Sequence, residues 1–157
     1  MRHVPTDVFE LKRDLPDAGA TRALGAAIAR AVPPGSVILL EGPLGAGKTT
    51  FVQGAVDALG AVHAASPSFV VAHEYPGGPF PIWHLDLYRV ESLSEIEDLD
   101  LAQYMPADGI AFVEWANRDP RQWPRERVEV ALAIAGAGRS AVVRGYGRCA
   151  ALVAALA

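Results

Sequence analysis

The stretch Val37–Thr50, VILLEGPLGAGKTT, constrains the fold more than any other part of the chain. Its first residues are a short apolar run bounded by turn signals, which reads as a buried strand. A glycine-rich turn follows, then a helix expected over about Gly47–Leu59 and closed by Gly60. A buried strand feeding a helix through a tight turn is the repeating unit of α/β architecture. Gly42-Pro43-Leu44-Gly45-Ala46-Gly47-Lys48-Thr49 also fits G-x-x-x-x-G-K-[ST] at every fixed position. Backbone N–H groups at a helix N-terminus, at the positive end of the helix dipole, suit a polyanion. Glycines let the backbone wrap phosphates. Lys48 supplies a point charge to the β and γ phosphates, and the Thr49 hydroxyl can coordinate Mg²⁺. A chance glycine-rich turn would not bring motif, strand and helix together, so a bound nucleotide is expected.

The remainder of the chain limits what that nucleotide can serve. At 157 residues, with 51% hydrophobic and 20% charged, it is expected to form one globular domain over residues 1–157. The opening MRHVPTDVFELKRDL has no apolar core of a signal peptide. CAALVAALA, Cys149–Ala157, is too short to span a bilayer. The single cysteine excludes an internal disulfide and a cysteine metal cluster. A cytoplasmic setting without membrane contact is therefore expected. The formal net charge of −4 and the scattered arginines argue against a chain that grips nucleic acid alone. Any role in RNA biology would run through a protein partner.

Along the chain, Asp7–Arg13 alternates as a first strand. A helix follows with Asp17 as N-cap and Leu24, Ile28 and Ala31 at helical spacing, ended by Pro33-Pro34-Gly35. FVVAHEY and PIWHLDLYRV, joined by PGGPF, predict a hairpin-like strand pair. Ser92 and Glu95 fit a capping box ahead of a short acidic helix. GIAFVEW predicts another buried strand, RVEVALAIAG and SAVVRGYG two late strands around a Gly-Ala-Gly turn, and CAALVAALA a closing helix. The expected fold is α/β, P-loop NTPase-like, in three layers, with a mixed, mainly parallel central sheet.

A nucleotide hydrolase of this kind also needs an acid at the end of a buried strand, near the metal. Glu114 follows the apolar run IAFV, and Asp86 follows the less uniform PIWHL. Glu114 fits the pattern better as a metal ligand. Asp86 could bind metal through water or orient the attacking water, and the sequence leaves the choice open. His84 reads as a strand residue, and His63 and His73 as surface or loop residues, because no second histidine sits at ligand spacing. Trp115 reads as core packing at a strand end. Arg89, Arg118 and Arg139 are candidates for phosphate contact. No N-K-x-D element for guanine is present, which favours ATP.

GPLGAGKTTFVQG, SPSFVVAHEY, HLDLYRV, EIEDLDLAQY and FVEWANR, in that order, resemble the TsaE family of bacterial ATPases in tRNA threonylcarbamoyladenosine synthesis. The resemblance implies that Leu44, Gly45, Ala46, Gly47, Lys48 and Thr49, with Thr50, hold ATP, and that Thr49 and Glu114 hold Mg²⁺. It implies a catalytic or metal-linked acid at Asp86, a border to the adenine at Ala18, and a nucleotide contact from Arg139. Ser66, Pro67 and Ser68 resemble a switch-type loop; Ser68 stands where the family usually has threonine, with the hydroxyl kept. Lys48, Asp86 and Glu114 are then the catalytic set. The family works with TsaB and TsaD, which modify an adenosine beside the tRNA anticodon. The implied role is a Mg-dependent ATPase that resets a TsaB–TsaD complex. The alternative on the motif alone is a small-molecule P-loop kinase, for which the chain shows no arginine-rich lid.

Overall fold

The computed structural model describes residues 7–62 and 71–157. Its elements are β1 (Val8–Leu15), α1 (Ala18–Ala31), β2 (Val37–Glu41), α2 (Lys48–Ala58), β3 (Ala72–Glu74), β4 (Ile82–Asp86), α3 (Leu93–Asp98), β5 (Ile110–Glu114), β6 (Val128–Ala135), β7 (Gly138–Tyr146) and α4 (Cys149–Ala154). Short 3-10 turns cover Leu101–Tyr104, Ala116–Arg118 and Pro120–Gln122. Among the described residues the strands form one sheet in the order β1-β7-β6-β2-β5-β4-β3.

Parallel pairing occupies the centre, where β6, β2, β5 and β4 run together. The outer pairs β1–β7, β7–β6 and β4–β3 are antiparallel. The central strands VILLE and IAFVE are apolar almost throughout because both of their faces are covered. Their side chains alternate between two cores. Ile38, Leu40, Ile82, Ile110 and Phe112 face α1, α2 and α4. Val37, Leu39, Leu85, Ala111 and Val113 face α3 and the 3-10 turn that follows it. The result is the expected three-layer α/β fold. Among the described residues, no helix is long and apolar enough to cross a membrane.

Helices α1 and α2 pack backbone to backbone. A Cβ on Gly25 would lie 2.0 Å from the Phe51 carbonyl oxygen, and one on Gly54 would lie 2.1 Å from that of Arg22. Asp17 caps α1 as expected, its Oδ1 accepting from the Ala20 N–H at 2.8 Å. At α3 the Ser92 hydroxyl accepts from the Glu95 N–H, while Glu95 Oε2 accepts from the N–H of Glu91. Glu95 thus reaches one residue further back than a standard capping box does.

Three expectations need correcting. The strand predicted over PIWHLDLYRV ends at Asp86, because Asp86 Oδ1 accepts from the Tyr88 N–H and turns the chain there. His73 is not a loop residue; it lies in β3, paired in register with His84. Trp115 is only partly buried, and it sits at a left-handed φ of 60°. It packs against the α3-side core, but the indole also walls an open cavity. Ser66, Pro67, Ser68 and His63 lie outside the described residues.

Candidate functional site

The loop between β2 and α2 is shaped by its glycines. Gly42, Gly45 and Gly47 adopt φ of 145°, 82° and 106°, a region that disfavours side chains. A Cβ at Gly42 would also lie 2.3 Å from the Leu132 carbonyl oxygen of β6. The loop turns on a hydrogen bond from the Ala46 N–H to the Pro43 carbonyl at 3.1 Å. Gly47 is the N-cap of α2 and supplies no side-chain cap. The first-turn N–H groups of α2 therefore keep the capacity that Asp17 and Ser92 use up in α1 and α3.

Lys48 opens α2, yet it is only 8% exposed. Its Nζ donates to the Gly42 carbonyl oxygen at 2.6 Å, folding the side chain back over its own loop. The same Nζ is 4.0 Å from Glu114 Oε1 and 5.0 Å from the centre of the Trp115 ring. Thr49 and Thr50 follow on the first turn, Thr49 exposed and Thr50 partly so.

A cavity of about 400 Å³ lies against this turn. Leu44, Gly45, Gly47, Lys48, Thr49 and Thr50 form one wall, and Asp86, Tyr88, Glu114 and Trp115 the other. A smaller cavity of about 190 Å³ lies on the other side of the loop, with Ala18, Thr21 and Arg139 around it. Gly45, Gly47 and Thr50 line both, so the two cavities flank one loop. Arg139 Nε donates to the Gly45 carbonyl at 2.9 Å, which ties the β6–β7 hairpin to the loop. Ala46 is fully buried beneath it.

The two acids come together through strand register. β4 and β5 are parallel and pair Asp86 with Glu114 at their C-terminal ends. Ligands of open α/β sheets bind at that edge. Asp86 is partly exposed; Glu114 is 7% exposed. Glu114 is also the end of a buried polar chain. His84 Nε2 lies 2.6 Å from Glu114 Oε2, Tyr75 Oη lies 2.9 Å from His84 Nδ1, and His73 Nε2 lies 2.9 Å from Tyr75 Oη. Burial pushes the Tyr75 hydroxyl up to about 12, with the Glu114 charge adding to it. Burial, reinforced by neighbouring His84, holds His73 below its ordinary value.

Arg118 does not reach the loop. Its guanidinium stacks on Trp115 at 5.2 Å and donates to the Tyr88 carbonyl. Arg89 borders a separate open groove beside α3. Neither residue lines the cavity against Lys48.

The fit to a magnesium nucleotide rests on the donor set. Uncapped N–H groups and Lys48 suit phosphates, and hydroxyl and carboxylate oxygens suit Mg²⁺. Among the described residues no three His, Cys, Asp or Glu side chains form a metal cage. A magnesium ion is commonly held by one or two carboxylates together with substrate phosphates, which is what Thr49, Asp86 and Glu114 could share.

The sequence does not single out His73, Tyr75 and His84 as site residues. The PGGPF turn between two strand-like runs is the signal that could pair His73 with His84. Nothing local to either run points to Glu114, which is separated from His84 by 30 residues.

The family profile described as "Threonylcarbamoyl adenosine biosynthesis protein TsaE" matches residues 15–141. A tRNA threonylcarbamoyladenosine biosynthesis protein TsaE from Bacillus subtilis (strain 168) is 42% identical over 117 residues, covering 74% of this chain and 73% of the relative. The protein of the same name from Synechocystis is 45% identical over 112 residues, covering 68% and 71%. The crystal structure of Bacillus subtilis YdiB superposes with a TM-score of 0.80 at 32% identity, covering 99% of this chain and 97% of that one. The profile spans the loop, both acids and Arg139, and the fold agrees along nearly the whole chain: the protein belongs to the TsaE family.

Proposed function

We propose that the chain, as one domain over residues 1–157, is a Mg-dependent ATPase of tRNA threonylcarbamoyladenosine biosynthesis. It acts in the cytoplasm on a TsaB–TsaD complex, resets it between turnovers, and reaches tRNA through that complex. The observation that carries the reading is the pairing of an uncapped α2 N-terminus with two acids across one cavity. The names of its relatives support the pathway.

In this reading the N–H groups of Leu44–Thr49 and the Lys48 ammonium hold the phosphates. Lys48 turns from the Gly42 carbonyl toward the β and γ phosphates when they enter. Bound Mg²⁺ would neutralise phosphate charge, with Thr49 and Glu114 as its protein ligands. Asp86, registered beside Glu114, orients the attacking water. Ala18 and Arg139, around the smaller cavity, border the base and sugar end. The walls of the larger cavity belong to the loop and the strand ends, so hydrolysis changes contacts that a partner can sense.

Phosphate release from MgATP, followed with and without TsaB and TsaD, tests this. Release that the partners accelerate and that Lys48→Ala abolishes is expected. Release that is absent with partners, or a phosphorylated small-molecule product in a metabolite extract, would overturn it, the second in favour of a kinase.

A further inference from the structure

The chain His73–Tyr75–His84–Glu114 is more ordered than a buried polar cluster requires. Register puts its members on one face. His73 pairs with His84 across the β3–β4 hairpin, His84 pairs with Phe112, and Asp86 pairs with Glu114. Register puts all of these side chains on the face of the sheet that carries Phe112, the α2 side.

Donor bookkeeping gives the chain a direction. An ionised carboxylate only accepts, so His84 Nε2 must carry the hydrogen it shares with Glu114 Oε2. The other ring nitrogen, Nδ1, meets the Tyr75 hydroxyl, and in the Nε2–H tautomer it accepts from it. The Tyr75 oxygen in turn accepts from His73 Nε2–H. The last atom, His73 Nδ1, is left bare, and it is a buried side-chain polar atom with no hydrogen-bond partner among the described residues. Each link points toward Glu114. With Oε2 engaged, Oε1 is the oxygen on the Lys48 side, 4.0 Å from its Nζ.

We propose that His84 is a positioning residue, braced by Tyr75 and His73, that fixes the Glu114 carboxylate so that Oε1 faces a divalent cation at the phosphate loop. The proposal rests on the magnesium–nucleotide reading above. A carboxylate on a flexible two-carbon arm would otherwise sample rotamers, whereas outer partners of metal-ligating groups fix the orientation that the metal needs. The hydroxyl of Tyr75 matters here because it holds the His84 ring in one tautomer, with Nε2 protonated.

Two measurements test it. The first is long-range ¹H–¹⁵N correlation on the histidine rings of the ligand-free protein. His84 and His73 are both expected as Nε2–H tautomers. A His84 ring protonated at Nδ1 would overturn the relay, whatever the nucleotide does. The second is binding of a fluorescent non-hydrolysable ATP analogue as a function of Mg²⁺ concentration. Tyr75→Phe, which keeps the ring and removes the hydroxyl, and His84→Leu should raise the half-saturating Mg²⁺ roughly 10-fold. Analogue binding in EDTA should stay the same, and His84→Gln, which keeps an N–H donor, should restore the Mg²⁺ dependence. A lowered melting temperature in Tyr75→Phe with unchanged Mg²⁺ dependence would overturn the proposal and leave the cluster a packing feature. A wild-type protein that binds the analogue at no Mg²⁺ concentration would instead overturn the nucleotide reading, on which the proposal rests.

Discussion

Helices α1 and α2 lie side by side, and their first turns nearly touch: a Cβ on Gly47 would lie 3.3 Å from Thr21 Cγ2. The two turns are nonetheless built in opposite ways. α1 begins with Asp17 in an extended conformation, its carboxylate satisfying a first-turn N–H of its own helix. α2 begins with Gly47 at φ 106° and offers its N–H groups no side chain. A glycine N-cap is only a few tenths of a kcal/mol worse than an acidic one, so leaving α2 open is a small loss of local stability. The difference separates a helix end closed by a side chain of its own from one left open, the end proposed above to take phosphate. Lys48 beside the open end, and Asp86 and Glu114 across from it, point the same way.

Making α2 resemble α1 should produce the largest effect. Gly47→Asp forces a side chain into a left-handed position, a strain of about 1–3 kcal/mol. It also puts a carboxylate where phosphate is proposed to sit, with the loss of charge-assisted hydrogen bonds worth about 1.5–3 kcal/mol. ATP affinity should fall about 100-fold or more, measured by calorimetric titration. Unchanged affinity would break the comparison, because the α2 N-terminus would not be the anion site.

Separating the two helices should have the next largest effect. Gly54→Ala drives a methyl group into the Arg22 backbone, where its carbonyl oxygen is 2.1 Å from the ideal Cβ position. Overpacking of this kind costs about 1–3 kcal/mol, to be read from the midpoint of a urea unfolding curve. A variant as stable as the parent would mean that the close helix contact is not needed to set the two ends side by side.

Making α1 resemble α2 should produce the smallest effect, and a different one. Asp17→Ala removes a cap worth about 1 kcal/mol. Stability should drop by that amount in the same unfolding assay, with ATP affinity unchanged. A matching loss of affinity would show that the α1 end also serves the ligand, which its place beside Ala18 and Arg139 in the smaller cavity makes worth measuring.

Much of this contrast is legible in the amino-acid sequence. Asp17 as a cap and the strand–loop–helix unit around Lys48 depend on residues a few positions apart, so local chemistry decides them. The two acids are legible as ends of apolar runs, but their adjacency is not. It comes from the parallel register of β4 and β5, which no spacing encodes. Arg139 is one of three candidate arginines in the sequence, and only the resemblance singles it out; the structure ties it to the Gly45 carbonyl across 94 residues of sequence. His73 and His84 look ordinary in the sequence because each is a single histidine in a strand-like run. Their relation to Tyr75 and Glu114 exists only once β3, β4 and β5 are laid edge to edge.

The sequence by itself determined the phosphate-loop motif, the helix that follows it, the apolar runs that must be buried strands and the acids at their ends. These are short-range consequences of glycine conformation, helix-end hydrogen bonding and side-chain periodicity. The tertiary structure alone decided the strand order, the pairing of Asp86 with Glu114, the two cavities flanking one loop and the hydrogen-bonded chain running from His73 to Glu114. Those features depend on which strands become neighbours and in what register. Register is set by burying two apolar faces at once, a condition on the whole sheet and not on any one segment of it.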